Sequence, residues 1–242
     1  MNTEEMAKKL VSWIRDQVLA ADCKGVVMGM SGGLDSSVLA VLCYRAFPQS
    51  MLGILMPCYN SQEEVEHAQA VANQVSIPTR TVVLDNVLDA LFRVLPDNGV
   101  DPNVSRVAKG NLKARLRMLT LYYFANQLKY MVAGSGNWSE LSVGYFTKYG
   151  DGGVDIMPLG NLVKGQVREL ARFLSIPQPI IDKPPSAGLW EGQTDEGELG
   201  LSYEELDRYL VTGQANAELR GRIESMIATS NHKRQPPPIA KF

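Results

Sequence analysis

A run of small and polar residues, Gly29-Met30-Ser31-Gly32-Gly33-Leu34-Asp35-Ser36-Ser37, sits between two apolar stretches of different period. Before it, Val26 to Met30 reads as a short buried strand. After it, Asp35 to Phe47, rich in Val, Leu and Ala, reads as a helix. Glycines let the backbone turn tightly and let a ligand approach without a Cβ in the way. The helix that follows presents unpaired N–H groups and the positive end of its dipole, which suits an anion such as a phosphate. Hydroxyls of Ser31, Ser36 and Ser37 can add donors. A plain glycine turn capped by Ser or Asp is the competing reading; five small residues plus an Asp at the carboxyl end of a strand favour phosphate. The lysine of a GxxxxGK[ST] loop is absent, and the run is not GxGxxG.

The same alternation continues along the chain. Glu4 to Ala21 carries Met6, Leu10, Trp13, Ile14 and Val18 at helical spacing, with Thr3 placed to cap. Met51 to Met56 reads as a buried strand ended by Pro57, Ser61 to Val75 as a helix, and Thr79 to Leu84 as a third strand. A long helix is expected over Asn103 to Gln127, with Leu112, Leu116, Leu119 and Tyr123 as its apolar stripe. Met131 to Ala133 is a fourth short strand, Gly134 to Gly160 reads as loop, and helices follow at Lys164 to Leu174 and Ala217 to Ser230. Helix and strand in alternation predict a Rossmann-like, three-layer α/β/α fold with a parallel sheet and the phosphate loop after its first strand. No repeat or linker divides the chain, so residues 1–242 read as one domain. Within it, Lys183 to Gly200 holds prolines, glycines and acidic residues with little apolar content, and is expected to be a mobile surface loop or lid.

Charge narrows the partners. Twenty-four Lys plus Arg against 26 Asp plus Glu leave −2 over 242 residues, a poor balance for gripping nucleic acid through its phosphates. Three cysteines, Cys23, Cys43 and Cys58, are an odd number without a CxxC pair. A disulfide framework or structural zinc site is therefore not expected, and a reducing compartment, the cytoplasm, is. No apolar run approaches the ~20 residues needed to span a bilayer, and the amino terminus lacks the apolar core of a signal peptide.

The segment SGGLDSS resembles the pyrophosphate-binding loop of the N-type ATP pyrophosphatases, which cleave ATP between its α and β phosphates. Three further blocks narrow the resemblance: Asn111-Leu112-Lys113-Ala114-Arg115-Leu116-Arg117-Met118; Gly134 to Asp155, with Glu140 and GYFTKYGD; and Lys183-Pro184-Pro185-Ser186-Ala187 to Gln193-Thr194-Asp195-Glu196, with later His232-Lys233-Arg234. In this order and spacing they resemble ammonia-dependent NAD+ synthetases over about Gly25 to Pro238.

That resemblance implies an enzyme that adenylates the nicotinate carboxylate of deamido-NAD+ with ATP, releases pyrophosphate, and lets ammonia displace AMP. It implies ATP contacts at Gly29, Met30, Ser31, Gly32, Gly33, Leu34, Asp35, Ser36, Ser135, Lys164 and Ser186. It implies Mg2+ on Asp35 and Glu140, with Asp35, Glu140, Lys164 and Ser186 carrying the chemistry. The dinucleotide falls to Arg115, Lys148, Asp155, His232 and Lys233, and a homodimer is implied with the dinucleotide near the subunit interface. One position departs from the pattern: Gly188 stands where the family usually has Asp, a role Glu191 or Asp195 could take over.

Taken singly, each residue has a plainer reading. Asp35 can cap its helix, Glu140 and Lys164 can be solvated helix charges, Arg115 can snorkel, and His232-Lys233-Arg234 can favour a helix's carboxyl end. Joint spacing lifts them above that. Another ATP pyrophosphatase, such as the amidating domain of GMP synthetase, is disfavoured by GYFTKYGDGG and the QTDE block; an ATP-sensing module without turnover leaves Glu140 and Lys164 without a purpose. A glutaminase domain needs ~100–150 residues, so ammonia, free or delivered, is the expected nitrogen donor.

Overall fold

The sheet is where the alternating pattern pays out. In this computed structural model, which describes residues 1–95, 99, 101–190 and 192–241, four strands run parallel: β1 (Gly25–Gly29), β2 (Met51–Leu55), β3 (Thr79–Thr81) and β4 (Tyr130–Val132). Their order is β3-β2-β1-β4, with Val26 opposite Met51 and Gly25 opposite Tyr130. β1 and β2 are apolar on both faces because helices cover both, as parallel sheets require. The chain steps from β1 to β2 and β3 on one side and returns to β4 on the other. Its order therefore reverses at β1, whose carboxyl end is the crevice where such sheets bind ligands.

One face is covered by α1 (Thr3–Ala20), α2 (Leu34–Ala46), α3 (Gln62–Val75), α7 (Lys164–Phe173) and α8 (Gln178–Asp182), the other by α4 (Asp85–Val94) and α5 (Pro102–Leu128). α2 is apolar nearly all round because it lies between the sheet and α1 and α7, with Val38, Leu39 and Leu42 fully buried. A smaller cluster joins α6 (Trp138–Val143), α9 (Asp195–Leu199), α10 (Tyr203–Thr212) and α11 (Ala217–Thr229) around Leu206 and Ile223. A last turn, α12, covers Asn231–Arg234.

Four expectations change. Asn2, not Thr3, caps α1, accepting from the Glu5 N–H at 2.8 Å. The loop over 134–160 contains α6. On α5 the buried face runs through Gly110, Ala114, Leu121 and Ala125, together with Leu116, whereas Leu119 and Tyr123 are 64% and 59% exposed. The helix has apolar residues on two faces, and only one meets the sheet. Finally, the 183–200 segment is not uniformly short of packing: Gln193, Asp195 and Leu199 are buried, which leaves Lys183 to Trp190 as its looser part. Glu191 lies outside the described residues.

Candidate active site

β1 delivers the Gly29–Ser37 run to the sheet's switch point. Gly32 has φ +78°, and a Cβ there would collide with the backbone carbonyl of Glu64 in the first turn of α3. Only glycine tolerates both demands. The Ser36 and Ser37 hydroxyls donate to the Gly33 carbonyl at 3.0 and 2.7 Å, and Ser31 Oγ lies 2.9 Å from Ser36 Oγ. These two hydroxyls therefore shape the loop. The cap of α2 is Gly33, which supplies no side-chain acceptor, so the helix's first N–H groups remain available to an anion.

Three charged side chains from separate elements meet beside this loop. Asp35 stands in the first turn of α2. Glu140 stands in the first turn of α6 and closes a capping box with Asn137: the Glu140 N–H donates to Asn137 Oδ1 at 3.0 Å, and the Asn137 N–H donates to Glu140 Oε2 at 3.3 Å. Lys164 opens α7 and is 2% exposed. Its Nζ donates to Asp35 Oδ2 at 2.6 Å and to Glu140 Oε1 at 3.0 Å, and lies 4.8 Å from the centre of the Tyr203 ring. Asn137 Nδ2 completes the arrangement by donating to Asp35 Oδ1 at 2.9 Å.

Two partly buried carboxylates thus share one buried ammonium. Burial pushes the Glu140 carboxyl up to about 7, with Lys164 opposing and the Asp35 charge adding to the rise. For Lys164, burial favours the neutral form, but Asp35 and Glu140 outweigh it and hold the ammonium above its ordinary range. Among the described residues no group of three or more His, Cys, Asp or Glu could cage a metal. Two converging carboxylates beside a phosphate loop nevertheless fit magnesium, which takes one or two carboxylates and completes its shell with phosphate oxygens and water.

A cavity of about 470 Å³ opens from this cluster. Of the residues expected at the site, Gly29 through Ser36, Ser135, Glu140, Lys164, Ser186 and Lys233 line it. Arg115, Lys148, Asp155 and His232 are not among the lining residues described. Arg115 is exposed and reaches the Lys148 carbonyl at 3.3 Å, and Lys148 Nζ reaches the His232 carbonyl at 2.6 Å, so these three form a chain outside the cavity. Asp155 is held by Tyr122 Oη and the Val132 N–H at 2.9 and 2.8 Å. Lys233 donates to the carbonyls of Gly144 and Phe146.

Asn60, Glu64, Asn111 and Arg117 also line the cavity; Asn111 and Arg117 belong to a block that carries the family resemblance, whereas Asn60 and Glu64 belong to none. Tyr203 donates from its hydroxyl to Asp195 Oδ2 at 2.9 Å and faces Glu140 Oε1 at 3.3 Å. Asp195 is 3% exposed, its Oδ1 has no hydrogen-bond partner among the described residues, and burial raises its carboxyl. Residues Lys183 to Trp190 pass over the cavity, with Ser186 Oγ accepting from the Gly188 N–H at 3.1 Å and Lys113 Nζ donating to the Leu189 carbonyl at 2.9 Å.

Known proteins resemble this chain along nearly its whole length. The sequence pattern that defines NAD synthase matches residues 6–237. The NH(3)-dependent NAD(+) synthetase of Carboxydothermus hydrogenoformans is 48% identical over 239 residues, covering 99% of this chain and 98% of that one. The protein of the same name from Methanocaldococcus jannaschii is 43% identical, covering 99% and 97%. Among solved structures, an NMN synthetase from Francisella tularensis superposes with a TM-score of 0.93 at 36% identity, each chain covered completely. The NH3-dependent NAD synthetase from Campylobacter jejuni gives 0.81 at 27%, again with both chains covered completely. With a match along nearly its whole length and the phosphate loop, Asp35, Glu140 and Lys164 assembled at one crevice, the chain belongs to the NAD synthase family.

Proposed function

We propose that this chain is a ligase that joins ammonia to the nicotinate carboxylate of deamido-NAD+, with ATP converted to AMP and pyrophosphate. The observation that carries the reading is the convergence of Asp35, Glu140 and Lys164 beside an uncapped helix start at the sheet's switch point. A carboxylate oxygen of the substrate attacks the α phosphorus of ATP, and the bond to the departing pyrophosphate breaks. The N–H groups of Gly32 to Leu34 and the Ser31 hydroxyl suit that anion, and Lys164 neutralises charge that would otherwise repel the incoming carboxylate. Asp35 and Glu140 would hold magnesium, which would supply further neutralisation of the phosphates. Ammonia then attacks the acyl carbon, AMP leaves with the bridging oxygen, and nitrogen gives up a proton. Residues 183–190 serve as a lid that excludes water from the mixed anhydride, with Ser186 reaching the nucleotide.

A homodimer fits the exposed apolar residues of α4 and α5, including Val87, Val104, Val107, Leu119 and Tyr123. Arg115 and Lys148, outside this chain's own cavity, then suit a dinucleotide lying near the subunit interface. Three free cysteines fit a cytoplasmic protein, and among the described residues no helix is long and apolar enough to cross a membrane.

The test is to incubate the pure protein with ATP, Mg2+, deamido-NAD+ and ammonium and identify products by mass. NAD+, AMP and pyrophosphate in equal amounts are expected; ADP and orthophosphate would sink the mechanism. A second reading has its own support. The likeness to an NMN synthetase makes nicotinate mononucleotide, which carries the same carboxylate without the adenylate half, a competing substrate. Offering both acids together and comparing kcat/KM separates the two.

A further inference from the structure

Asn60 uses every hydrogen-bonding position of its amide. Its Oδ1 accepts from the Cys58 N–H at 2.9 Å and from Nη2 of Arg117 at 2.7 Å. Its Nδ2 donates to Glu64 Oε2 at 2.6 Å and faces the Gly188 carbonyl at 3.5 Å. An amide has two donors and two acceptor lone pairs, so three positions are filled at ordinary hydrogen-bond distances and the fourth faces the Gly188 carbonyl at the outer limit of one. Its orientation is also determined: Cys58 N–H and Arg117 can only donate, whereas the Glu64 carboxylate and the Gly188 carbonyl can only accept.

These partners belong to four parts of the fold. Cys58 follows β2, Arg117 lies on α5, Glu64 on the first turn of α3, and Gly188 on the segment over the cavity. Arg117 is fixed independently, since its Nε donates to the Met56 carbonyl at 3.3 Å. It has no ion-pair partner among the described residues, so its charge is linked to that of Glu64 through the Asn60 amide. Such a fully satisfied polar network is rigid.

Gly188 supplies an independent observation. Its φ is +61°, and a Cβ there would lie 3.0 Å from Glu64 Oε1 and 3.6 Å from Asn60 Nδ2. The docked segment leaves no comfortable room for a side chain. An Asp at 188 would bring its carboxylate against that of Glu64. Glu64 also presses its backbone carbonyl against Gly32 of the phosphate loop. One residue therefore touches the loop with its main chain and the lid with its side chain.

We propose that Asn60 is a positioning residue that registers the lid over the nucleotide site, oriented by Arg117 and Glu64 and acting through Gly188 to place Ser186. The proposal rests on the lid reading given above. Asn60→Asp tests it, because the change preserves shape and both acceptor positions toward Cys58 and Arg117 while replacing both donors with a carboxylate oxygen that faces Glu64 and the Gly188 carbonyl. Hydrogen exchange of residues 183–190 is compared in free protein and with ATP, Mg2+ and deamido-NAD+. AMP formed per amide product is measured alongside. In the wild type, ligands should protect the segment. In N60D that protection should weaken and the AMP ratio should rise several-fold, since both donors are lost and a carboxylate oxygen faces the Gly188 carbonyl and Glu64, with the KM for ATP moving less than kcat.

Gly188→Asp gives a second route that does not depend on N60D folding well. Asp tolerates the left-handed region better than most residues, so its main fault here is the facing Glu64 carboxylate. G188D should raise the AMP ratio, and adding Glu64→Gln to it should bring the ratio back down. If the wild type is protected by ligands but N60D keeps the same protection and ratio, the proposal is overturned. Failure of E64Q to rescue G188D overturns it as well. If ligands protect nothing in the wild type, the lid reading falls and this proposal falls with it.

Discussion

Lys164 Nζ lies 2.6 Å from Asp35 Oδ2, although the two residues are 129 positions apart in the chain. The contact closes α7 onto the first turn of α2, and Glu140 joins from α6. Three elements are thereby tied at the point where ATP is expected to react. Lys164→Met would remove the only cation in direct contact with both carboxylates among the described residues. Breaking a buried pair of this kind costs about 3–5 kcal/mol, so the urea midpoint should fall clearly and amidation should be lost. Unchanged stability would mean that water already screens the cluster.

The raised Glu140 carboxyl sets a pH signature. Its ordinary value is 4.5 and its folded value about 7, so the folded state binds the proton more tightly than the unfolded state. Metal-free protein should therefore be helped by this group at low pH and lose that contribution as pH rises from about 4.5 to about 7. Glu140→Gln removes the titration. The difference in unfolding free energy between wild type and variant, followed across this window, should slope in that direction. A flat difference would refute the assignment.

The Tyr203 hydroxyl donates to Asp195 Oδ2 at 2.9 Å, and the Tyr145 hydroxyl also lowers the cost of that buried carboxylate. Tyr203→Phe would remove the 2.9 Å donor from a buried carboxylate and leave it with Tyr145 alone. About 1–3 kcal/mol of stability should be lost, measurable in urea, and the AMP-forming rate should drop because Glu140 loses its neighbouring hydroxyl too. A variant as stable as the wild type would show that solvent reaches Asp195.

The exposed face of α5 predicts assembly. Leu119→Glu together with Tyr123→Glu should convert a dimer to a monomer in sedimentation and raise the KM for deamido-NAD+ more than that for ATP. Both residues are more than half exposed in the single chain, so folding itself should survive. Wild-type protein that sediments as a monomer would remove the premise.

The strands and the phosphate loop were legible because their information is local: apolar runs, small residues and a helix start in one stretch of sequence. Much of α5 was legible too, but not its orientation. Leu119 and Tyr123 repeat at helical spacing as well as Leu121 and Ala125 do, and spacing alone does not say which face meets a sheet. α10 went unread although Ser202 and Glu205 form a capping box, a signal available in the sequence. α4 likewise shows Val87, Leu88, Leu91 and Phe92 at amphipathic spacing. Asn60, Arg117 and Tyr203 are different. Their roles exist only once β2, α3, α5, α9 and α10 are brought together, and no neighbour in sequence announces that. Asp35, Glu140, Lys164 and Ser186 are expected from the family resemblance, and the fold brings all four to the lining of one cavity.

Burial of Gln193, Asp195 and Leu199 has a consequence for the work of closing the site. Fixing backbone costs roughly 1–2 kcal/mol per residue, and in the proposed lid closure that cost would fall on the ligand that triggers it. A strap free from Lys183 to Gly200 would draw it over its whole length. Anchored from Gln193 onward, the strap is already ordered along nearly half its span before any nucleotide arrives. The ordering entropy was settled during folding, by the cluster around Leu206 and Ile223, so more of the nucleotide's interaction free energy remains for tightening around the reacting phosphate.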